Sequence, residues 1–544
     1  MERRDGACAG RAALPRRARR GPTRHVSERV RGAAPKVDYE SLAVSCLEHL
    51  PKKLLIGGEW RAAAGGGTLA VADPRTEACL AQVAAAGAAD VDAAVAAARR
   101  AFDAGPWPRM STKAGERGRA LHRLADAVEA HADELAALET LDVGMTISCS
   151  RGLEVAIAAD LLRYYAGWAD KVEGATIPVD GLFWAYTLRE PLGVVAAVAP
   201  FNFPLAMAAM KLAPALAIGN TVVLKARLPR QQVAEQAPLA SLLLGELVLE
   251  AGLPPGVVNL LTGTGDAAGA PLVAHPGMDK VVFTGSTEVG RRVGQAAASN
   301  IKPCTLELGG KSPIIVAPDA DVTAAVAAAQ EAAFFHAGQC CTAAGRVYVH
   351  EAVHDEILSR TADAARRRIV GDPFDAAVQQ GPQVDRAQFD RVLASIEGAT
   401  REGAQLVAGG RRAGGKGLYI QPTVFAGVTD AMAVARDEVF GPVMAVMSYR
   451  TLGEVGRAHS LPGTTTVNPF GLAAGIFSSN ADTVNTLTRA LRVGMVWINC
   501  YGGGDSSVPI GGYKASGIGR EKGRDGLAQY TQIKAVYQPL APHL

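Results

Sequence analysis

A chain of 544 residues, 49% of them hydrophobic, has enough apolar side chains to fill the cores of two or three domains, and no uninterrupted apolar run reaches eighteen residues, which excludes a bundle of membrane-spanning helices. A net charge of +3 excludes the strongly basic balance of a nucleic-acid binder. The eight cysteines, at 8, 46, 79, 149, 304, 340, 341 and 500, form neither a CxxC pair nor a disulfide framework, and no His/Cys/Asp cluster stands at metal-ligand spacing; a reducing compartment is expected.

Residues 1–36 carry ten arginines and Lys36 against Glu2, Asp5 and Glu28. They are set apart from the fold, as a 1–40 extension read either as an organelle-targeting presequence, Arg-rich and acid-poor, or as a disordered basic tail. Glu2 and Asp5 at the very start, and Ser27 as the only serine of the segment, weigh against the presequence. Lys53 to Trp60 predicts a short strand and turn, and Asp73-Pro74-Arg75-Thr76 a second turn. Leu121, Leu124, Val128, Leu135 and Leu138 recur at spacings of three, four and seven, the stripe of an amphipathic helix.

Between 190 and 310 short β-branched runs alternate with helical stretches, which predicts parallel βαβ units. The strands are Val194 to Ala199, Thr221 to Lys225, Val257 to Thr262 and Lys280 to Thr284. In such sheets ligands bind beyond the carboxyl ends of the strands. The first strand runs into Pro200-Phe201-Asn202-Phe203-Pro204 and the last into Gly285-Ser286-Thr287-Glu288-Val289-Gly290, a turn and helix start whose N–H groups could receive a pyrophosphate. That glycine spacing is not GxGxxG, so by itself it leaves a nucleotide site and an ordinary helix start both open.

Two segments carry chemistry. Phe-His-Ala-Gly-Gln-Cys-Cys-Thr-Ala-Ala-Gly-Arg (335–346) holds Cys340 and Cys341 among small residues that leave a sulfur accessible, and Thr-Leu-Glu-Leu-Gly-Gly-Lys-Ser-Pro (305–313) places Glu307 on an otherwise apolar strand running into a glycine turn. An arbitrary cysteine pair is more often two ordinary buried thiols, but a carboxylate in an apolar setting is seldom left unpaired without a purpose. Together they fit a nucleophile and a base. A thiol of ordinary pKa is only about 3% thiolate at pH 7, so a catalytic cysteine needs local help to ionise; a carboxylate could take its proton, or activate a water that attacks a thioester.

Both segments resemble the active-site signatures of the NAD(P)-dependent aldehyde dehydrogenases of the mitochondrial and cytosolic type, and the similarity runs from about Leu54 to Leu540. The resemblance implies an α/β fold: a Rossmann-like cofactor domain (41–172 and 192–309), an α/β catalytic domain (310–517) and a small β oligomerisation arm (173–191 and 518–544) joining two or four copies, its closing strand, Ile533 to Pro539, pairing across subunits. It implies Cys341 as nucleophile, Glu307 as general base and Asn202 as the oxyanion-hole amide beside the Cys341 N–H. For the cofactor it implies Phe201, Lys225, Glu235, Gly265, Gly285, Ser286, Gly290, Glu438 and Phe440, with Lys225 and Glu235 at the adenosine ribose, Glu438 at the nicotinamide ribose and Phe440 beside the nicotinamide ring. A Glu235 carboxylate accepts from a ribose 2′-OH and repels a 2′-phosphate, which favours NAD over NADP. The expected reaction is oxidation of an aldehyde to its acid through a cysteine thiohemiacetal and thioester. The expected partners are a small aldehyde and further copies of this chain, without nucleic acid, membrane or metal, in the mitochondrial matrix or the cytoplasm. Two other readings stay open: a catalytically silent relative serving as a structural or binding protein, and acyl transfer to coenzyme A, against which Glu307 speaks.

The chain also departs from the family pattern. The family wording is Lys-x-x-Glu, but nine residues separate Lys225 from Glu235, and deleting 226–232 would restore it. Such a loop costs only roughly 1 kcal/mol in closure entropy, so folding is expected to survive where ribose recognition is in question. A second insertion lies within Leu-Pro-Gly-Thr-Thr-Thr-Val-Asn-Pro (461–469). Met210, Gly504 and Ile510 stand where the acetaldehyde-type members carry aromatic side chains, which predicts a wider tunnel for medium or bulky aldehydes.

Overall fold

The computed structural model describes residues 37–108, 114–226, 237–455 and 468–540. The expectations for 1–36, for 227–232, for Glu235 and for 461–467 lie outside these described residues. The expected strands between 190 and 310 are present within one residue of their bounds: β1 (Val194–Ala199), β2 (Thr221–Ala226), β3 (Val258–Leu261) and β4 (Lys280–Thr284), followed by β5 (Cys304–Glu307). β1 and β2 are buried along their whole length, and their Val-rich sequences suit a sheet covered on both faces. Ala226 is the last residue of β2, paired with Ala199, so it belongs to the strand rather than to the inserted loop.

These five strands run parallel in the order β3-β2-β1-β4-β5. The chain winds outward from β1 to β3, then returns to the other side of β1, and the reversal falls between β1 and β4. In a doubly wound sheet that switch point opens a crevice at the carboxyl ends of the strands. Antiparallel edge strands complete an eight-stranded sheet: Leu54–Ile56 and Glu59–Arg61 beyond β3, and Gly517–Ile518 beside β5. A second, seven-stranded sheet is built from Pro313–Val316, Arg346–His350, Thr423–Ala426, Val443–Tyr449, Ala473–Phe477 and Met495–Ile498 in parallel, with Gln405–Ala408 as its antiparallel edge.

Three expectations are corrected. The Leu121 to Leu138 stripe is two helices, Ala114–Ala130 and Ala132–Val143, parted at His131 (φ −99°, ψ 26°); all five stripe residues are fully buried, because a one-residue turn leaves the apolar face continuous. The ordered chain crosses the expected 1–40 boundary, since helix Tyr39–His49 starts behind Asp38, whose carboxylate accepts from the Ser41 N–H, and Tyr39 is buried with its hydroxyl on Asp133 at 3.1 Å. The closing strand starts at Thr531 and finds a partner inside the chain: Thr531–Pro539 pairs antiparallel with Phe183–Pro191, which also pairs with Thr176–Ile177.

Candidate active site

Glu307 ends β5, opposite Thr284 of β4 and Gly517 of the edge strand. It is buried, and its Oε1 meets no hydrogen-bond partner among the described residues. Burial first, and the charge of Glu521 second, push its carboxyl well above the usual carboxylate range, opposed by Lys211, Arg520 and the Gly512 N–H. Behind it Lys211 and Glu521 form an ion pair of 2.8 Å with both side chains almost wholly buried, and the Lys211 ammonium also donates to Thr284 at 2.7 Å. A lone lysine on the apolar helix Pro204–Ile218 was the sequence signal for this network, since a buried lysine needs a carboxylate partner. Glu521, 310 residues further along, carried no such signal.

The two glycines after Glu307 explain how the parts meet. A Cβ on Gly309 would overlap the Glu438 carboxylate, and one on Gly310 would overlap the Cys341 carbonyl oxygen. Only bare backbone lets both approach, and the Gly310 N–H donates to Glu438 Oε1 at 3.1 Å. Lys311, buried alongside, is pushed down to about 7 by burial and by Arg346, with Glu438 and Asp437 opposing.

Cys340 and Cys341 are both partly exposed. Their sulfurs act as a pair. Cys341 donates to Cys340, and that bond, burial, the Cys340 charge and the carboxylates Glu438 and Glu307 all hold the Cys341 thiol well above its ordinary value. Cys340 goes the other way, lowered by the bond from Cys341 and by Thr342, whose hydroxyl lies 3.2 Å from its sulfur. Cys341 is therefore held as a protonated thiol under the influence of two carboxyl groups, and it becomes a nucleophile only when its proton is taken.

Asn202 follows β1 and is buried; its Nδ2 donates to the Gln339 carbonyl at 2.8 Å. An amide nitrogen carries two N–H bonds, so this contact holds the side chain beside the cysteine loop and leaves the second N–H outside that bond. Asn202→Ala is expected to lower kcat about a hundred- to a thousandfold with aldehyde KM little changed, the usual loss for one oxyanion donor; steady-state kinetics check it.

Around the switch point the carboxyl ends of four strands present the expected cofactor residues. Phe201 follows β1 and meets Phe440 edge-on at 5.7 Å, in a small apolar cluster with Val143, Ala237 and Val384. Lys225, buried near the end of β2, donates to the Ala226 carbonyl at 3.1 Å. Gly265 opens a short turn after β3 that is capped by Thr264. Gly285 and Ser286 follow β4, and Ser286 caps helix Thr287–Ser299 by accepting from Val289. Gly290 has a different place: a Cβ there would overlap Leu308, so it sets how closely that helix lies on the sheet. A helix N-terminus for an anion, a carboxylate for ribose hydroxyls and a phenylalanine wall for a flat ring together form the donor set a dinucleotide needs. Just past two segments outside the described residues, side chains hold the backbone. Asp142 accepts from the N–H groups of Ala237 (3.2 Å) and Leu239 (2.8 Å), and burial pushes it up to about 7; the Lys514 ammonium donates to the Asn468 carbonyl at 2.9 Å. Of the three residues expected to widen the tunnel, Met210 lies in the main core, Ile510 packs against it, and a Cβ on Gly504 would enter open space.

The sequence profile of the aldehyde dehydrogenase family matches residues 60–536. The chain belongs to the aldehyde dehydrogenase family. It is 51% identical over 489 residues to the mitochondrial benzaldehyde dehydrogenase of Antirrhinum majus, covering 90% of this chain and 89% of that protein. With the mitochondrial aldehyde dehydrogenase of Homo sapiens it shares 48% over 487 residues, 89% of this chain and 91% of the relative. Among solved structures, an NAD+ complex of the Bacillus cereus aldehyde dehydrogenase superposes with a TM-score of 0.87 at 40% identity, over 94% of this chain and 99% of the other. Betaine aldehyde dehydrogenase from Staphylococcus aureus with NAD+ gives 0.88 at 34%, over 93% and 99%. As a member of this family the chain is an enzyme, an oxidoreductase of the NAD(P)-dependent aldehyde dehydrogenase kind with the fold read from its sequence.

Proposed function

We propose that this family member oxidises aldehydes to carboxylic acids with NAD, Cys341 being the nucleophile and Glu307 the base that activates water. The observation that carries the reading is that the buried Glu307 carboxyl and the half-buried Glu438 carboxyl both bear on the Cys341 thiol, while the Asn202 amide is bonded to Gln339 just before it in the chain. The Cys341 sulfur bonds to the carbonyl carbon while its proton passes to a neighbouring base, and the carbonyl oxygen, now an anion, is held by the second N–H of Asn202 and the Cys341 peptide N–H. When bound, NAD supplies a cationic ring that accepts the hydride from that carbon. Cys341 is left as a thioester. Glu307 takes a proton from water, the water oxygen attacks the thioester carbon, and the carbon–sulfur bond breaks to free the acid and restore the thiol. Glu438 and the Phe201–Phe440 pair would hold the nicotinamide end of the cofactor.

The test is product analysis with purified chain, aldehyde and NAD, with and without coenzyme A. Equal amounts of NADH and free acid without coenzyme A support the reading; acyl-coenzyme A as the required product would replace it. An intact set of Cys341, Glu307 and Asn202 speaks against a catalytically silent chain, which would have no use for a buried carboxyl with one oxygen left unbonded. The full-length chain is expected to bind NAD in the micromolar range, and a chain lacking 226–232 to bind no more than about tenfold tighter, because the strand before the loop and Asp142 after it already fix its ends; calorimetric titration reads both. Hexanal and cinnamaldehyde are expected to show kcat/KM at least equal to that of acetaldehyde, and a strong preference for acetaldehyde would contradict the wide tunnel.

Self-association is part of the same reading. The arm exposes Leu182, Phe183, Trp184, Leu188, Ile533 and Tyr537, and an apolar strand pair of this kind calls for a second copy to cover it. The compartment we assign is mitochondrial, supported by the naming of the plant and mammalian relatives and by the ten arginines of residues 1–36.

A further inference from the structure

The oxyanion site is assembled from two segments 137 residues apart, joined by the bond from Asn202 to Gln339. The second segment takes an uncommon path. His336 (φ 48°), Ala337 (φ 54°) and Gly338 (φ 72°) stand consecutively in the left-handed region, which only glycine adopts freely, so contacts must hold the first two there. Some are polar: the His336 carbonyl accepts from the Gln339 N–H at 3.1 Å, and the Ala337 carbonyl from Gln383 Nε2 at 2.9 Å. Others are aromatic. Phe335 stacks on Phe203, the neighbour of Asn202, with ring centres 6.0 Å apart and planes 14° apart, and the His336 ring meets the same Phe203 at 5.6 Å.

His336 is 7% exposed, and its Nε2 has no hydrogen-bond partner among the described residues. Burial pushes its imidazole down to about 3, opposed by a hydrogen bond to the Asn202 backbone. The ring is thus neutral at working pH, and with Nε2 bare the proton sits on Nδ1, which faces Asn202. No part of the proposed chemistry uses this side chain.

We infer that His336 is a positioning residue for the oxyanion donors: its ring, wedged against Phe203 and bonded to the Asn202 backbone, fixes the spacing between the Asn202 amide and the Cys341 peptide N–H. This rests on the aldehyde-oxidising reading given above. An oxyanion hole works because its donors are already in place when charge develops, and a shift near 1 Å in such a site can cost about a hundredfold in rate. The histidine acts at one remove from the reacting atoms, through Asn202.

Two variants and the wild type test it. His336→Phe keeps the aromatic face and removes the Nδ1–H; His336→Asn gives up the ring and supplies an amide donor. The expected result for His336→Phe is a fall in kcat of about ten- to a hundredfold, with aldehyde KM, NAD affinity and Tm unchanged. His336→Asn recovers most of that loss. A His336→Phe variant that keeps the wild-type kcat would overturn the inference, as would a Tm that falls in step with kcat in both variants, since that is the mark of a purely structural histidine. If the wild type itself forms no NADH from aldehyde, the aldehyde-oxidising reading falls and takes this inference with it.

Discussion

Cys341→Ala is expected to abolish NADH formation from aldehyde, a loss on the order of a thousandfold or more, while the protein stays folded. Burying one small side chain is worth only about 1 kcal/mol, and no disulfide is among the described cysteines, so the loss cannot be ascribed to unfolding if Tm is unchanged. The neighbour makes the comparison informative. Cys340 is the sulfur whose pKa is lowered, which by ionisation alone would make it the better nucleophile. Its charge is held by the bond from Cys341 and then by Thr342 and backbone groups, whereas the Glu438 and Glu307 carboxyls bear on Cys341. Cys340→Ser is therefore expected to keep turnover, its hydroxyl still accepting the hydrogen bond from Cys341. The reverse pattern in the two variants would exchange their roles.

Glu307→Gln is expected to release a burst of about one NADH per subunit and then turn over about a hundred to ten thousand times more slowly, since the general base is needed for the water that clears the thioester and not for hydride loss. Rapid-mixing absorbance separates the two phases. The pH dependence has a definite sign. The Glu307 carboxyl is raised well above its ordinary value, so it serves as a base only once the solution is alkaline enough to ionise it; the hydrolysis rate should climb with pH in the wild type and lie flat in Glu307→Gln. Stability runs the opposite way. The folded state holds this proton more tightly than the unfolded chain does, so the wild type loses stability as pH rises from the ordinary carboxyl value, about 4.3, toward the raised one. Thermal melts of Glu307→Gln should match the wild type at low pH and exceed it as pH rises above the ordinary carboxyl value.

Much of this site was legible because its parts are local in sequence. Val and Ala runs bounded by glycine and proline placed β1, β2, β3 and β4 within a residue, and the Leu-Glu-Leu-Gly-Gly segment carried both the base and the two bare positions that admit Glu438 and the cysteine loop. What was hidden depends on distance or on backbone path. The Lys211–Glu521 pair joins residues 310 apart, and no period or motif links them. The break at His131 was invisible because a one-residue turn leaves the apolar stripe intact. The left-handed turn at His336 and Ala337 carries no glycine signal until Gly338, so the sequence reads there as the end of a helix. The lowered Cys340 thiol likewise comes from a side-chain geometry that adjacency alone does not fix.

The most direct test of the central claim is mass spectrometry of peptides from Glu307→Gln quenched after reaction with NAD and hexanal. The account predicts one acyl group per subunit, in thioester linkage to Cys341 and sensitive to hydroxylamine. An acyl group on Cys340, or NADH formed in the burst with no acylated cysteine at all, would contradict it.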